Sequence, residues 1–330
     1  MKIRVLPWHE ADPSELRQLY MDYAFPTYWG SAIVDDRLQD YRFRKVAGAA
    51  DEDPGGTFVA EVDGSIQGAA RIARVDHLSD HFGIEVGSIE NEAFGAYHPA
   101  EAYRMALELI RTLKQRAAER ACLFVSVSAS SMAGPWLRAL EESGFRYADG
   151  FVRMVADSRD SYDAFIRPDV IIRDPVPSDF DDIAASYELV PFVNHWLHEP
   201  EFARTRMLQL YVKRYREVHE RSQGRVLIGE IEGRFAGALI LLVDEDIKKE
   251  TGITVNPLSM GIIVHPRAAR RGVSLSLVAH RHNLYRELGM RYGYFGANIN
   301  SRPMIRGLQK MGMSYAGIDF GLILRLGERG

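Results

Sequence analysis

The nine residues EVDGSIQGA at Glu61–Ala69 are nearly repeated as EIEGRFAGA at Glu230–Ala238, 169 positions later. Each copy reads as a strand, a turn made of an acidic residue and a glycine, and a second strand, which is typical of a β-hairpin. Two further pairs follow in the same order at offsets of 169 and 168, namely Ile3-Arg4 with Ile172-Arg173 and Leu140–Ala148 with Leu308–Ala316. Three pairs at a nearly constant offset indicate that one structural unit occurs twice.

The repeat predicts two domains, residues 1–156 and 170–330, joined by a linker at 157–169. The connecting segment begins with the mostly polar residues 157–162 and closes at Arg167-Pro168, a composition that suits a linker or a crossover. A chain of 330 residues has the length of two ordinary domains.

Both copies share one order of predicted elements. A short strand and helical segments come first, and a meander of three strands follows. The later elements are a helix (Pro99–Glu119; Gly272–Leu288), a strand (Cys122–Val127; Tyr292–Ala297), a helix (Gly134–Glu142; Pro303–Met311) and closing β structure. The sequence therefore predicts the α/β class, with two tandem domains that each contain a mixed, mostly antiparallel sheet flanked by helices.

Charge and composition exclude several classes of protein. Lys and Arg number 41 and Asp and Glu number 45, a net charge of −4, whereas a general nucleic-acid binder needs a basic excess. The single cysteine, Cys122, excludes an internal disulfide and a cysteine-built zinc site, and we expect it to pack within a strand. The longest apolar run, Phe235–Val243, is far shorter than the roughly 20 residues of a membrane-spanning helix. We expect a cytoplasmic protein without nucleic-acid or membrane partners.

The segment Met260–Leu277, MGIIVHPRAARRGVSLSL, carries the clearest chemical signal. An apolar strand ending at Val264 leads through a basic loop to Gly272, where a helix is predicted to begin. A glycine lets the backbone approach a ligand closely, and the first helical turn offers unpaired N–H groups and the positive end of the helix dipole. Strand, loop and helix start together predict a cradle for a diphosphate.

This segment resembles the GNAT family, the acetyl-CoA-dependent N-acetyltransferases, whose signature is a strand, a Gln/Arg-x-x-Gly-x-Gly/Ala loop and a helix. The signature positions hold Ala269-Arg270-Arg271-Gly272-Val273-Ser274, so the central glycine is kept while the first and last positions differ. Downstream, Ala297–Asn300 ends a strand and Pro303 opens a helix that reaches Lys310–Met313, which is similar to the family's asparagine, helix and Lys-Leu-Gly-Phe pattern. The resemblance covers about 220–325 directly and 1–156 through the repeat.

The resemblance implies acetyl-CoA, or another acyl-CoA, as cosubstrate, and no metal. The cofactor-binding residues that it implies are Ile262, Ile263 and Val264 on the strand, Arg270, Arg271, Gly272, Val273 and Ser274 at the loop and helix start, and Asn298 and Asn300 after the next strand. Asn300 is also a candidate helix N-cap, and Asn298 is an equal candidate for the cofactor contact.

The first copy departs from the family pattern at the loop. When His98-Pro99 is aligned with His265-Pro266, Met105 stands opposite Gly272, and its side chain takes the room that a phosphate needs. We therefore predict that 1–156 is a degenerate GNAT-like domain without a cofactor loop, and that 170–330 is the acyl-CoA-binding catalytic domain. In outline this is similar to tandem members such as mycothiol synthase, and Leu78–Gly83 is distantly similar to part of the TDP-fucosamine acetyltransferases.

The resemblance also implies a mechanism, in which a neutral amine attacks the thioester carbonyl and a backbone N–H on the strand meets the oxyanion. Leu308 occupies the helix position where the family often has a proton-donating tyrosine, so Tyr315 and Tyr294 are the nearest substitutes by sequence. The candidate bases are His198 and the carboxylates of Asp244, Glu245 and Asp246, of which at least two fit a solvated turn better. Asn300 completes the candidate catalytic set. His195 and His198 have a spacing that suits one helical face, but no third ligand accompanies them, so we predict no metal site.

Three classes of function stay open. The first is transfer of an acetyl or short acyl group from acyl-CoA to the amine of a small molecule, such as an amino sugar or a biosynthetic intermediate. The second is a non-catalytic acyl-CoA-binding module, which Ala269 and Leu308 favour. The third is a transferase that uses a carrier-bound or aminoacyl donor. The expected partner is the amine acceptor, and a homodimer is left open.

Overall fold

The computed structural model describes residues 2–23, 35–95, 99–157, 159–190, 195–220, 224–254, 261–290 and 292–327. The chain divides into two compact units, one made of Met1–Phe151 with Gly317–Gly330 and the other of Val152–Ala316. The α/β class predicted from the sequence is confirmed.

Helices and strands alternate along both units. The strands are β1 (Ile3–Pro7), β2 (Thr57–Val62), β3 (Ser65–Arg74), β4 (Val86–Phe94), β5 (Phe124–Ser130), β6 (Arg146–Asp157), β7 (Ile171–Arg173), β8 (Gly224–Ile231), β9 (Arg234–Leu242), β10 (Ile262–Val264), β11 (Tyr292–Asn298) and β12 (Ser314–Arg325). The helices are α1 (Pro13–Asp22), α2 (Asp36–Glu52), α3 (Asp76–Phe82), α4 (Pro99–Glu119), α5 (Gly134–Glu142), α6 (Asp179–Leu189), α7 (Arg204–Glu220), α8 (Glu245–Thr251), α9 (Val273–Glu287) and α10 (Arg302–Lys310).

The two hairpins of the sequence repeat are present in the structure, as predicted. Asp63 and Gly64 both have positive φ, at 49° and 95°, and Glu232 and Gly233 repeat this at 55° and 69°. Two successive residues with positive φ make the type of two-residue turn whose twist matches that of the flanking strands. The turns therefore pair β2 with β3 and β8 with β9 in antiparallel register.

The first unit is built on a sheet in which β1, β2, β3, β4, β5 and β12 follow one another in that order. All neighbouring pairs are antiparallel except β4 and β5, which pair in parallel because α4 carries the chain across the sheet between them. The main core lies between this sheet and the helices α4 and α5, and it includes Leu109, Leu113 and Trp136.

The second unit has an antiparallel sheet with the strand order β10-β9-β8-β7. Helices α6 and α7 pack on one face of this sheet through a core that contains Ile228 and Ala238. Side chains alternate between the faces of a strand, so the neighbouring Gly229 and Gly237 lie on the opposite face, where Val273 of α9 packs against both. Strand β11 does not belong to this sheet.

The compact units differ from the predicted domains 1–156 and 170–330 at the last strand. Residues Asp319–Arg325 of β12 pair antiparallel with Ser130–Phe124 of β5, so the end of the chain is part of the first unit. A repeat in the sequence shows only the order of elements along the chain, whereas a compact unit is defined by which elements contact one another. The last strand therefore belongs to the second copy by sequence and to the first unit by strand pairing. The assignment of a degenerate and a catalytic domain remains a prediction.

The segment 157–169, predicted to be a linker, packs against helix α9. Tyr162 is buried, and its backbone N–H donates to the side chain of Asn283 on α9 over 3.2 Å. Cys122 is a second departure from expectation, since it is buried but precedes β5 instead of lying within it. The part of the predicted strand at 258–260 lies outside the described residues.

The pairing of β12 with β5 gives a testable prediction. Leu322 is buried in the core of the first unit, so Leu322→Ala should lower the free energy of unfolding by about 2–5 kcal/mol, through lost apolar burial and the cavity left behind. Denaturant titration measures the loss, and hydrogen exchange should show reduced protection at 124–130. Ser314→Ala, at an exposed position of the same strand, is the matched control and should change little. Reduced protection confined to 224–242 would contradict the assignment of β12.

Candidate active site

The edge strand β10 leaves backbone groups open on one side. The N–H of Ile240 donates to the carbonyl of Gly261, and the N–H of His265 donates to the carbonyl of Ala236. Antiparallel pairing alternates along a strand, so residues 261, 263 and 265 bond to β9. The N–H and C=O groups of Ile262 and Val264 therefore face the other edge, where no strand among the described residues pairs with them, and they can pair with an extended ligand.

The loop after β10 leads to a helix start with free donors. The first backbone bond of α9 runs from the N–H of Ser276 to the carbonyl of Gly272. The N–H groups of Gly272, Val273, Ser274 and Leu275 have no acceptor in the described structure. Four such donors and the positive end of the helix dipole favour an anion.

Two features fix the position of this helix start: the positive φ angles of two loop residues, and the packing of Val273 against two glycines of the sheet. Gly272 has φ of 80°, in the left-handed region that glycine tolerates best, and Arg270 has φ of 64°. Val273 packs 3.1 Å from the position of a Cβ on Gly237 and 3.3 Å from that on Gly229. Larger residues at these two glycines would lift the first turn of α9 off the sheet.

His265 supports the loop from its other end. Its Nδ1 accepts the N–H of Arg267 over 3.1 Å, beginning a short 3-10 turn at Pro266–Ala268. Burial, and after it the charge of Arg267, lowers the pKa of His265 below its ordinary value. The neutral imidazole that results can keep accepting this bond.

The arginines of the loop have different environments. Arg267 donates to the carbonyl of Phe235 over 2.6 Å, which ties the loop to β9. Arg271 donates to Glu232 over 3.0 Å and lies 3.5 Å from Asp169, so its charge is shared with two carboxylates. Arg270 is exposed and has no carboxylate partner in the described residues. The structure therefore places Arg270 and Arg271 at the loop, with only Arg270 uncommitted.

The two asparagines after β11 adopt separate roles. The side-chain oxygen of Asn298 accepts the N–H of Asn300 over 3.0 Å, and its buried Nδ2 has no hydrogen-bond partner in the part of the chain that the structure describes. Asn300 is exposed, and the N-cap of α10 is Ser301, so the N-cap interpretation of Asn300 is wrong. Of the two equal candidates, Asn298 has the donor that needs an acceptor.

The candidate catalytic side chains lie on separate elements of the structure. His198 is exposed at the end of a 3-10 turn, and Tyr315 is 59% exposed at the start of β12. Within the described residues, no hydrogen bond, ion pair or ring contact connects either one with β10 or the loop. Leu308 is fully buried, which fits a packing position on α10. Tyr294 is buried, and its burial raises the pKa of the phenol above its usual value.

One phenol that the sequence analysis did not identify lies near the start of β10. The hydroxyl of Tyr215 on α7 is 3.1 Å from the position of a Cβ on Gly261, whose φ is 123°. Burial raises the pKa of Tyr215 well above its usual value. Only the packing of α7 on this sheet brings the two together, so spacing along the chain carried no signal of it.

The first unit has a closed counterpart of this site. Strands β4 and β5 pair over Val86–Ile89 and Phe124–Val127, and past that point Phe94 and Trp136 pack with ring centroids 4.9 Å apart. Helix α4 already begins at Pro99, so helix replaces the loop with its free N–H groups. Both aromatic side chains belong to the core of the first unit.

The structure also corrects the predicted alignment of the two copies by one residue. The Sδ of Met105 lies 3.0 Å from the position of a Cβ on Gly68, as Val273 does at Gly237. Met105 therefore corresponds to Val273, and Arg104 corresponds to Gly272. The error arose because the His-Pro pairs were taken as equivalent, although only the second precedes a loop.

A buried histidine lies further along α9, against Gly293 of β11. His282 is fully buried, and neither ring nitrogen has a hydrogen-bond partner among the described residues. Its ring lies 5.2 Å from that of Tyr162 and 5.5 Å from that of Tyr285. Burial, and after it the charge of Arg281, holds the pKa of His282 well below its ordinary value.

Taken together, the second unit offers an open strand edge that continues into a set of free backbone donors. Such an arrangement can hold an extended molecule with amide groups along its length and an anionic group at its end. Among the described residues, no group of three or more His, Cys, Asp or Glu side chains is placed to hold a metal ion. No helix in the described part of the chain has the length and hydropathy needed to cross a membrane.

Comparison with known proteins identifies the fold. The structure is similar to a GCN5-related N-acetyltransferase from Sphaerobacter thermophilus, with 13% identity, a TM-score of 0.60, and 99% of this chain and 98% of that chain covered. It is also similar to a tandem GNAT protein from the clavulanic acid biosynthesis pathway, with 13% identity, a TM-score of 0.55 and full coverage of both chains. The chain therefore has the GNAT fold in two tandem domains, as predicted.

A third similar structure is a glucosamine N-acetyltransferase region of a fungal multi-domain GH3 β-N-acetylglucosaminidase. The identity is 13% and the TM-score 0.59, with 97% of this chain and 38% of that chain covered. No protein-family model matches the sequence, and no curated protein matches it.

The burial of His282 predicts a loss of stability in acid. Its pKa is lower in the folded than in the unfolded state, so stability is constant above about pH 6.5 and falls below it, because the unfolded chain binds the proton first. The slope approaches about 1.4 kcal/mol per pH unit until the folded pKa is reached. Thermal unfolding between pH 8 and 5 should show this slope in the wild type and a smaller one in His282→Phe. His219→Phe, at an exposed position, is the control, and equal slopes in all three proteins would exclude His282 as the source.

Proposed function

We propose that the second unit binds an acyl-CoA and transfers its acetyl or short acyl group to the amine of a small molecule. The observation that carries the proposal is the open edge of β10 continuing into the free N–H groups at the start of α9. The GNAT fold supports acyl transfer in general, and the likeness at 13% identity leaves the substrate to be argued from this chain.

The residues present fit coenzyme A in chemical terms. The pantetheine arm is an extended chain with two amides, which match the outward N–H and C=O groups of Ile262 and Val264. The diphosphate matches the four free N–H groups from Gly272 to Leu275. The buried Nδ2 of Asn298 lacks an acceptor, and an oxygen of the ligand would supply one.

The cosubstrate supplies the activated acyl group as a thioester. The chain supplies position and polarisation: an outward N–H of β10 donates to the carbonyl oxygen as negative charge develops there. His198 is the proposed base for the amine, and Asn300 and Tyr315 complete the proposed catalytic set. A thiolate leaving group has a pKa near that of free cysteine, so transfer depends little on a strong acid.

The first unit is proposed to be free of cofactor. Phe94 and Trp136 pack together beyond the point where β4 and β5 pair, and helix replaces the loop at its counterpart of Gly272. The first unit therefore lacks the loop that is proposed to hold coenzyme A in the second unit, so one site per chain is expected.

Two alternatives remain for the second unit. It could bind acyl-CoA without turnover, which the buried Leu308 in place of a tyrosine favours. It could also use a carrier-bound or aminoacyl donor, which the loop carboxylates Asp169 and Glu232 favour because they share the charge of Arg271. For the acceptor, an amino sugar is one proposed class, supported by the glucosamine N-acetyltransferase region among the similar structures.

Calorimetry with acetyl-CoA, followed by thiol release in the presence of a panel of amines, tests the proposal. We expect one acetyl-CoA per chain and amine-dependent release of thiol. Binding without release on any amine would support the non-catalytic alternative, and no binding would support the carrier-dependent one. A stoichiometry of two would contradict the closed state of the first unit.

A substitution at the helix start tests the cradle itself. Gly272→Glu should reduce acetyl-CoA affinity at least tenfold, because its carboxylate competes for the free N–H groups and repels phosphate. The left-handed backbone at this position also costs about 1–2 kcal/mol of stability for a residue with a side chain. Gly252→Glu is the matched control, since Gly252 has φ of 71° and open space around it but lies at the end of α8. Equal loss of affinity in both variants would show that strain, and not the cradle, is responsible.

A further inference from the structure

The segment that precedes β7 is fastened along α9 by side chains of that helix. The amide of Asn283 donates from Nδ2 to Asp163 over 2.6 Å and accepts the N–H of Tyr162 at Oδ1. The hydroxyl of Ser276 accepts the N–H of Arg167 over 3.0 Å. Ser276 and Asn283 are seven residues apart and so lie on one face of the helix. Both are buried, which makes the path of the segment well defined.

This path brings Arg167 over the start of α9. A Cβ placed on Gly272 would lie 2.9 Å from Cγ and 3.3 Å from Cδ of Arg167. The aliphatic part of the arginine therefore covers the glycine of the cradle. The guanidinium begins one bond beyond Cδ, within side-chain reach of an anion held at the first turn of α9. Its backbone is fixed by Ser276, while its side chain is 60% exposed and free to follow a ligand.

The guanidinium of Arg167 is paired with a carboxylate that an anionic ligand can replace. Its Nε donates to Asp169 over 3.2 Å, and Asp169 also lies 3.5 Å from Arg271. The bond from Arg167, followed by weaker contributions that include Arg271, lowers the pKa of the Asp169 carboxyl. An exposed ion pair of this kind is worth little, so the diphosphate of CoA, with two negative charges and four non-bridging oxygens, can replace the single carboxylate.

We propose that Arg167 binds the diphosphate of the acyl-CoA, as a phosphate ligand contributed by the segment between the two copies. The inference rests on the proposed function of the second unit. Besides the helix start, the edge of β10 and the buried Nδ2 of Asn298, which has no partner among the described residues, also point to a ligand. A guanidinium suits the role because its planar set of donors matches phosphate oxygens.

Binding of CoA, dephospho-CoA and pantetheine to the wild type and to Arg167→Ala tests the proposal. The first two ligands carry the diphosphate and should bind about tenfold more weakly to the variant, the scale of one charge-assisted hydrogen bond. Pantetheine lacks the diphosphate and should be unaffected. Arg159→Ala is the matched control, because Arg159 lies in the same segment, is more exposed and pairs with Asp157; it should leave all three affinities unchanged. Equal weakening of all three ligands, or no weakening of any, would overturn the proposal.

A double-mutant cycle with Ser276→Ala separates positioning from general stability. Removing the hydroxyl releases the backbone of Arg167, so CoA affinity should fall about threefold in the wild-type background and not at all in Arg167→Ala. The same loss in both backgrounds would mean that Ser276 acts on α9 itself, which contradicts the positioning of Arg167. If the wild type binds none of the three ligands, the proposed function fails before the variants are compared, and the inference fails with it.

Discussion

The second unit depends on the contact of Val273 with Gly229 and Gly237. Because neither glycine carries a side chain, the first turn of α9 rests directly on β8 and β9, with its free N–H groups beside the end of β10. The left-handed Gly272 turns the loop into that helix. If the helix start were lifted by even one methyl group, the strand edge and the anion cradle would no longer form one continuous surface.

The first unit has the corresponding contact, between its long helix and its sheet, but the surroundings of that contact differ. Met105 lies over Gly68 as Val273 lies over Gly237, so the helix is docked on its sheet in a similar way. The helix, however, begins earlier at Pro99, and Phe94 with Trp136 occupies the space beside the diverging strands. One scaffold thus supports an unpaired strand edge in one copy and packed aromatic side chains in the other. The difference lies in the side chains beside the strand and in where the helix starts.

Charge in the second unit keeps the buried His282 neutral and leaves the exposed loop adaptable. His282 is fully buried, and its pKa is held well below the ordinary value, first by desolvation and then by Arg281. At the surface, Arg167 and Arg271 share Asp169 in pairs that solvent screens and a phosphate can exchange. The buried group therefore affects stability in acid, whereas the exposed groups affect ligand binding with little cost to the fold.

Local signals in the sequence determined the hairpins, because an acidic residue and a glycine can both adopt positive φ, and they determined the order of elements through apolar periodicity. They also located the loop around Gly272, since glycine, arginines and a helix start are adjacent in the chain. Only the tertiary structure decided where β12 pairs, which asparagine has a free donor, and that Arg167 and Tyr215 lie at the site. These features join residues that are distant in sequence, such as Arg167 and Gly272, and such proximity arises from packing and not from any local preference.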